Sequence, residues 1–426
     1  MKQIAVAIAG CGGRGLDTYA VVAKKIPDKM KIVAVADMLP ERLQKAKQQF
    51  SLTDEQCFRT VEEMLESEKL ADVLFVCTQD RQHVGHAIPA IRKGYHILLE
   101  KPISPSAEEC RALLKEAKKY NREVVVCHVL RYTPFYRKVK EVIESGIIGD
   151  IVSLQAIENV GYWHMAHSFV RGNWRNTAET SPMILAKCCH DLDILVWLLG
   201  QRCSEVSSFG DTALFKAEKA PQGAALRCTQ GCKVKESCPY DAEKIYLTNP
   251  QTGVLHGNVG WPCNVLALYP TEASITEAIE KGPYGRCVYH CDNDTVDHQI
   301  VNMQMENGVT ASLTMCAFTS KGHRYLKVMG TMGDIEADMG ANTIEVCRFG
   351  DQPQIIDVTK LSDDFSGHGG GDVKMVKEFI EYLANEENKK MCSNLEESLE
   401  SHYVALAAEE SRIAQGKSVC VQKLRT

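Results

Sequence analysis

The chain has 426 residues, which is enough for two or three domains with large hydrophobic cores. Hydrophobic residues make up 45% and charged residues 24%, and the net charge of -6 gives no electrostatic reason to expect nucleic acid or an anionic membrane as a partner. No apolar run reaches the roughly 18 to 20 residues that span a bilayer. The 18 cysteines are scattered without an export signal, so we expect a cytoplasmic protein with mostly buried, reduced thiols.

The first predicted element is an apolar strand, residues 4–9, which runs into a glycine-spaced turn and a helix-like segment. Glycines at these spacings allow a tight turn, a close approach of backbone to pyrophosphate, and close packing of helix on strand. The N–H groups at the start of the helix would hold the phosphates. The turn therefore predicts a dinucleotide site with contacts from Gly10, Gly12, Gly13, Arg14 and Gly15.

A second apolar strand, residues 32–36, ends at Asp37, where the dinucleotide motif places an acid on the ribose hydroxyls. A carboxylate there favours NAD over NADP, because it would repel a 2′-phosphate. Arg42 follows five residues later and could weaken that preference. We therefore expect NAD as the cofactor, with Asp37 and Arg42 beside its adenosine ribose.

Strand-like and helix-like segments alternate as far as residue 126, and the strands are almost continuously apolar. This pattern is typical of a parallel, doubly wound sheet of the Rossmann type, in which ligands lie beyond the carboxyl ends of the strands. We predict a dinucleotide-binding domain over residues 1–127. The polar residues at its later strand ends are Thr78, Gln79, His83, Glu100, Lys101 and His128.

The rhythm changes after about residue 150, where strand-like runs are separated by hairpin-like turns. We predict a C-terminal α+β domain over residues 128–426, with a largely antiparallel open sheet that serves substrate binding and oligomerisation. Helices are expected at residues 191–199, 373–383 and 395–414, the last capped by Asn394. A cysteine-rich insertion occupies residues 226–292 or so.

Three features together identify a family. They are the early glycine turn, the tripeptide Glu100-Lys101-Pro102 that closes a strand, and His190 followed by Asp191-Leu192-Asp193. In this order they resemble the Gfo/Idh/MocA family of NAD(P)-dependent sugar and polyol oxidoreductases, and the resemblance covers nearly the whole chain. It implies a carbohydrate substrate and a dimer or tetramer, and it does not name the sugar.

The resemblance implies that Lys101 hydrogen-bonds a substrate hydroxyl and that His190 is the general acid/base. Many family members carry an aspartate four residues before this histidine, whereas this chain has Ala186 followed by Lys187. We expect Lys187 to help stabilise an oxyanion or to bind a polar group of the substrate.

The resemblance also implies cofactor contacts. Glu100 would face the cofactor, and Thr78, Gln79 and His83 correspond to adenosine and ribose contacts. Arg131 would border the active site and steady the nicotinamide or an acidic group, although a salt-bridged helix start explains it equally well.

A polar and aromatic stretch precedes His190. Aromatic faces beside guanidinium and amide groups suit a pyranose ring, and a loop that covers the sheet would have a similar composition. The predicted substrate contacts are Trp163, His164, Asn173, Trp174, Arg175 and, from a later segment, His298. His368 lies in a glycine-rich segment that fits either a ligand contact or a linker.

The insertion carries three cysteines, Cys228, Cys232 and Cys238, and Cys287 follows in a later loop. Four thiolates on short irregular loops predict a structural zinc site, with Cys263, His290 or Cys291 as substitutes for the fourth ligand. An iron–sulfur cluster and plain reduced thiols are the alternatives.

We expect an enzyme that removes hydride from a secondary hydroxyl of a sugar, glycoside or cyclitol. One alternative is a glycoside hydrolase that holds NAD tightly and cleaves through a transient 3-keto intermediate and elimination, with His164 or His298 as the base at C2. Another is a non-catalytic NAD-binding regulator. The presence of both Lys101 and His190 argues against that last reading.

Overall fold

The computed structural model describes residues 2–385 and 391–426. Its N-terminal half is built on a six-stranded sheet in which every neighbouring pair is parallel. The strand order is β3-β2-β1-β4-β5-β6. The strands are β1 (Ile4–Ala9), β2 (Met30–Ala36), β3 (Cys57–Phe58), β4 (Val73–Val76), β5 (His96–Leu99) and β6 (Val124–Val126).

Helices cover this sheet and connect its strands, because the strands are apolar on both faces. A π-helical segment, Gly13–Ala20, leads into α1 (Val22–Lys25). The others are α2 (Pro40–Phe50), α3 (Val61–Glu66), α4 (His83–Arg92), α5 (Ala107–Tyr120) and α6 (Pro134–Glu144).

The second sheet has nine strands in the order β14-β13-β12-β11-β7-β10-β9-β8-β15. Only β7 and β10 pair in parallel among these strands; the other pairs are antiparallel. The strands are β7 (Ile151–Gly161), β8 (Cys203–Asp211), β9 (His298–Met305), β10 (Thr310–Thr319), β11 (His323–Gly330), β12 (Gly333–Asp338), β13 (Thr343–Arg348), β14 (Gln354–Asp357) and β15 (Val419–Cys420).

Helices pack on one face of the second sheet, chiefly α9 and α14, while the other face is open to solvent. The helices of this half are α7 (Tyr162–His164), α8 (Met183–Ala186), α9 (Cys189–Leu199), α10 (Cys263–Leu266), α11 (Glu272–Lys281), α12 (Ser366–Gly369), α13 (Gly371–Asn385), α14 (Leu395–Ile413) and α15 (Gln422–Arg425). Among the described residues, no helix is long and apolar enough to cross a membrane.

Helix α13 returns to the first domain. Its buried residues Met375, Val376 and Phe379 share a core with Val6 of β1 and Leu16 of the π-helical segment. The late part of the chain thereby packs behind the glycine turn, and it brings residues of α12 and α13 to the edge where dinucleotide and substrate would meet.

The predicted fold class is confirmed: a parallel Rossmann sheet is followed by a mixed, mostly antiparallel sheet. Asn394 caps α14, as predicted, by accepting a hydrogen bond from the N–H of Glu397. The five strands β3, β8, β12, β14 and β15 were not foreseen. Strands β14 and β15 lie at the sheet edges and are short, with four and two residues, so they leave little periodic signal.

The glycine turn requires glycine at two positions for different reasons. Gly10 has a φ of +95°, a backbone angle that residues with a side chain rarely adopt. A Cβ on Gly15 would overlap the carbonyl oxygen of Gly10, because the helix lies directly on the end of β1. By contrast, a Cβ on Gly13 would meet no atom within 4 Å.

We expect Gly15→Ala to destabilise the protein without bound nucleotide by about 1–3 kcal/mol, because the helix must move off the strand. Gly13→Ala is the matched control and should leave the free energy of unfolding nearly unchanged. Urea denaturation followed by circular dichroism measures both. Equal stability of the two variants would contradict this account of the turn.

Candidate active site

The polar strand ends of the first sheet meet at one edge, as expected for parallel strands. Asp37 follows β2, Thr78 lies two residues beyond β4, and Glu100 follows β5. The second domain covers this edge with α8, α9 and the segment before them. A cleft between the two sheets is therefore the place where the predicted residues can converge.

Asp37 supports the glycine turn itself. Its Oδ2 accepts the N–H of Cys11 at 2.8 Å, and its Oδ1 accepts the N–H of Leu39 at 2.9 Å. Arg42 lies beside it, with Nη1 3.8 Å from Oδ2. The carboxylate thus stands at the tip of β2, next to the turn, where an adenosine ribose would lie.

Arg14 does not point away from the protein toward a phosphate. Its Nε donates to Oε1 of Glu100 at 2.7 Å and its Nη2 to Oδ1 of Asp372 at 2.7 Å, with the Tyr19 hydroxyl as a further partner. Burial works to raise the pKa of Glu100, but Arg14 and Lys101 hold it below its usual range. The structure therefore places Arg14 in a buried network that joins the glycine turn, β5 and α13.

The polar side chains after β4 make hydrogen bonds with other residues of the chain. The ring of His83 spans two loops, with Nδ1 2.7 Å from the carbonyl of Pro102 and Nε2 3.1 Å from that of Thr78. Thr78 Oγ1 lies 3.0 Å from Nδ1 of His86, and Gln79 caps the short turn at Asp80–Gln82. They fix the loop geometry at the sheet edge.

Lys101 crosses from the first domain to the second. Its ammonium Nζ donates to the carbonyl oxygen of Ala186 at 2.9 Å, and the peptide bond to Pro102 is cis. A backbone carbonyl of the second domain is thus the hydrogen-bond partner of the lysine.

His190 lies four residues after Ala186, near the start of α9, and is 3% exposed. Neither of its ring nitrogens has a hydrogen-bond partner within the described part of the chain. Burial, assisted by the nearby Lys101 ammonium, lowers the pKa of His190 well below its usual range, so the ring is neutral. A buried imidazole without a partner costs free energy, and such a group is typical of a functional site.

Two buried ion pairs hold α9 at residues that directly follow His190. Asp193 makes a bidentate pair with Arg131, with both contacts at 2.7 Å, and its Oδ1 lies 2.6 Å from Nδ1 of His128. Asp191 pairs with Arg324 at 2.7 Å. Arg131 therefore holds α9 by a salt bridge, and it is 1% exposed.

Lys187 has a carboxylate partner, since its Nζ lies 3.1 Å from Oε1 of Glu158 on β7. Glu158 also contacts Arg324 at 3.0 Å. Burial works to raise the pKa of Glu158, but Arg324 and Lys187 hold it low. Burial lowers the pKa of the His164 ring, and the nearby Lys187 ammonium lowers it further. The Lys187 ammonium therefore borders the same cleft, while Glu158 balances its charge.

An aromatic wall consists of Trp163, His164, His167 and Trp261. The ring centroid of Trp261 lies 4.9 Å from that of Trp163 and 4.8 Å from that of His164. Trp261 comes from the cysteine-rich insertion and is 44% exposed. Sequence reasoning missed it, because a lone tryptophan in an irregular insertion carries no periodic signal.

The remaining predicted substrate residues do not all meet at the wall. Trp174 donates from Nε1 to the buried Asp80 at 3.1 Å and so links the second domain to the first. Asn173 and Arg175 line an open surface depression, and Arg175 pairs with Asp292 at 2.9 Å. His298 lies on the exposed face of β9, opposite to the buried Gln299, with Nδ1 2.8 Å from Asp297.

His368 does join the site, since its ring centroid lies 5.5 Å from that of His190. Its Nδ1 is 3.1 Å from Oδ2 of Asp372, the same carboxylate that binds Arg14. The sequence offered His368 only as one of two readings. His368 and His190 are nearly 180 residues apart in the sequence, so no local spacing rule could have predicted their contact.

The four predicted zinc ligands, Cys228, Cys232, Cys238 and Cys287, line one cavity in the insertion. Within residues 2–385 and 391–426, however, no three side chains of His, Cys, Asp or Glu are arranged to hold a single metal ion. The zinc site is therefore not supported.

Residues 4–128 match the family model described as an oxidoreductase family with an NAD-binding Rossmann fold, and residues 140–421 match its C-terminal alpha/beta domain. The oxidoreductase YteT of Bacillus subtilis is 24% identical over 327 residues, which are 72% of each chain. Inositol 2-dehydrogenase of Burkholderia ambifaria is 28% identical over 197 residues, 46% of this chain and 54% of that enzyme.

A solved structure of the WlbA dehydrogenase of Chromobacterium violaceum, in complex with NADH and UDP-GlcNAcA, has the same fold. It superposes with a TM-score of 0.68 at 16% identity and covers 99% of this chain and 96% of that one. The family model supplies the NAD-binding assignment, and the glycine turn provides room for the dinucleotide, because Gly13 faces open space. The chain belongs to the Gfo/Idh/MocA family of NAD-dependent oxidoreductases.

Proposed function

We propose that the protein oxidises a secondary hydroxyl of a sugar, glycoside or cyclitol. The observation that carries this proposal is the buried, unpartnered imidazole of His190 beside the ammonium of Lys101. NAD, bound on the glycine turn, would accept the hydride. The inositol dehydrogenase among the relatives supports this substrate class.

The chain's own residues would divide the proton chemistry. The Lys101 ammonium would donate a hydrogen bond to the substrate hydroxyl oxygen as negative charge develops there. A neutral ring nitrogen of His190 would take the hydroxyl proton and return it in the reverse direction. Ala186 holds Lys101 through its carbonyl, and the ion pairs of Asp191 and Asp193 hold His190 in place.

The side chains that line the cleft suit a carbohydrate ring. Trp163 and Trp261 offer apolar faces for the C–H side of a ring, and Lys187 offers hydrogen-bond donors to the hydroxyl groups. Because Glu158 already balances the charge of Lys187, we propose that Lys187 binds a neutral polar group rather than an anion.

His190→Asn should lower kcat by roughly 10²-fold to 10⁴-fold, because the general base is lost.

Lys101→Met should lower kcat by roughly 10²-fold or more, because a hydrogen-bond donor to the developing alkoxide is lost. Both variants should bind NAD nearly as the wild type does, as measured by fluorescence titration.

Lys93→Met is the matched control for Lys101→Met, since the Lys93 ammonium also donates to a carbonyl, that of Leu65 at 2.6 Å, at the far end of α4.

In the wild type, kcat/KM should not fall as the pH drops through about 6.5, the ordinary histidine value, because the pKa of His190 is lowered. A clear inflection near that pH would contradict His190 as a neutral base.

A second candidate is redox-neutral cleavage of a glycoside through a transient ketone. The observation that favours it is His164, a second imidazole at the cleft whose pKa is lowered well below its usual range by burial and by Lys187. A neutral base there could remove a proton next to the ketone. Release of the aglycone without accumulation of NADH would select this candidate, whereas stoichiometric NADH would reject it for the substrate tested.

Trp261→Ala should raise KM for the carbohydrate about 2-fold to 12-fold, which corresponds to the roughly 0.5–1.5 kcal/mol of an aromatic contact. NAD affinity should not change. Tyr269→Ala, at an exposed tyrosine of the same insertion, is the control and should leave KM unchanged. Steady-state kinetics on a panel of sugars, cyclitols and glycosides measures both.

We also propose that two copies pair through the open face of the second sheet. Exposed apolar side chains lie side by side on its central strands, namely Ile157, Ile300, Phe318 and Tyr325. Burial of such a patch would stabilise a dimer or tetramer.

Ile300→Lys should therefore shift the protein toward the monomer, because a charge would enter the contact. Light scattering coupled to size exclusion measures the mass. Ile355→Lys, at an exposed isoleucine on the edge strand β14, is the control. A wild type that is monomeric at micromolar concentration would overturn this assembly.

A further inference from the structure

A proton that His190 takes from a substrate has to leave a buried ring. His190 is 3% exposed, and neither of its ring nitrogens has a hydrogen-bond partner among the residues that the structure describes. A buried imidazole holds a proton poorly, because burial disfavours the charged form. The rings that surround His190 therefore decide where the proton goes next.

Two histidine rings lie beside His190, and the first of them leads deeper into the protein. The ring centroid of His128 is 6.4 Å from that of His190, but His128 is 1% exposed and its Nδ1 lies 2.6 Å from the buried Asp193. His128 stacks on His402, which is 0% exposed, with their centroids 5.5 Å apart. This side of His190 offers a proton no way to solvent.

The second ring, His368, lies between His190 and solvent. Its centroid is 5.5 Å from that of His190, and 37% of its side chain is exposed. Two imidazoles at this separation can exchange a proton directly or through one water molecule. Of the two neighbouring rings, only His368 joins the buried base to the outside.

A buried carboxylate fixes the ring of His368. Asp372, at the start of α13, is 2% exposed, and its Oδ2 lies 3.1 Å from Nδ1 of His368 and accepts the backbone N–H of His368 at 3.1 Å. Its Oδ1 accepts from Arg14 at 2.7 Å, which holds the carboxylate in turn. A carboxylate on Nδ1 orients an imidazole and leaves Nε2 to carry the proton in transit.

The glycine-rich segment around His368 is shaped for this contact. Gly367 has a φ of +60°, and a Cβ there would lie 2.3 Å from Oδ2 of Asp372. A Cβ on Gly371 would lie 2.1 Å from the carbonyl oxygen of Val129. A plain linker needs no such close approaches, so the glycines serve to seat His368 against its carboxylate.

The electrostatic surroundings favour transfer in the outward direction. Burial lowers the pKa of both rings, and nearby cations lower both further. Asp372 opposes this shift at His368, whereas the pKa of His190 falls well below its usual range. His368 is therefore the stronger base of the two, and a proton on His190 is driven toward it.

We propose that His368 relays the proton between His190 and solvent, with Asp372 as the residue that positions it; this inference rests on the proposed oxidation. The substrate O–H bond breaks and its proton moves to His190, then to Nε2 of His368 and then to water. The hydride leaves the same carbon for NAD. The products are a ketone, NADH and one proton in solution, and both histidines return to their starting state.

Replacement of His368, followed by chemical rescue, tests the relay. His368→Ala and His368→Gln should each lower kcat by roughly 10²-fold, the lower end of the range for a positioned proton-transfer group, with little change in KM or NAD affinity. The Gln variant keeps a donor for Asp372 and so preserves the fold, which circular dichroism checks. His256→Ala, at an exposed histidine of the insertion, is the control and should keep kcat.

Added imidazole separates a relay from a purely structural contact. It should raise kcat of His368→Ala in proportion to its concentration, because a free imidazole can enter the vacated space and carry the proton. It should not raise kcat of the wild type or of Lys101→Met, in which a charge rather than a proton carrier is missing.

The outcomes also distinguish the relay from the proposed function. If the wild type produces NADH from a polyol, an unchanged kcat in both His368 variants overturns the relay alone. A loss of kcat in His368→Ala that imidazole does not restore also overturns it. A wild type that binds NAD and yields no NADH with any sugar, glycoside or cyclitol overturns the proposed oxidation, and the relay with it.

Discussion

The site depends on the way in which α9 is clamped. Asp191 and Asp193 follow His190 near the start of α9, and each is bound by an arginine from a different part of the chain, Arg324 and Arg131. Removing one member of a buried pair typically costs about 3–5 kcal/mol, because the other charge is left without a partner. The helix can therefore hold a buried histidine whose own nitrogens are unpaired, since its position does not rely on that side chain.

The same pairing logic extends across the domain boundary. Arg131 follows the last strand of the parallel sheet, and Arg14 follows the first, where it binds Glu100 and Asp372. Asp372 in turn contacts His368, which lies against His190. The glycine turn, β5 and α13 are thus joined by charge at the place where dinucleotide and substrate would meet, so the relative position of the two domains is set where it matters for hydride transfer.

Local patterns predicted the parallel sheet, because most of its strands are buried, almost continuously apolar and bounded by clear turn signals, whereas the two-residue strand β3 gave no signal. The order of the glycine turn, Lys101 and His190 predicted the family, and their roles in catalysis stay a prediction. The partners of those residues could not be read in this way. Arg14 and Asp372 are 358 positions apart, and Trp261 reaches the wall from an irregular insertion. Such contacts arise from tertiary packing, which no spacing in one sequence encodes.

Roles assigned from charge alone were the least secure. The sequence placed two cations, Lys101 and Lys187, at the cleft, and we expected Lys187 to stabilise an oxyanion or to bind a polar group of the substrate. Glu158 balances Lys187, however, and the carbonyl of Ala186 accepts from Lys101 in place of a carboxylate.

The buried charges near His190 therefore pair off. Lys187 and Arg324 face Glu158 and Asp191, while Arg131 faces Asp193. Within the described residues Lys101 has no carboxylate at ion-pair distance and donates to the carbonyl of Ala186, so its charge can serve an oxygen that becomes negative during the proposed reaction. This balance supports the substrate class that we propose, since a polyol is neutral when it binds and gains negative charge only as its hydroxyl proton leaves.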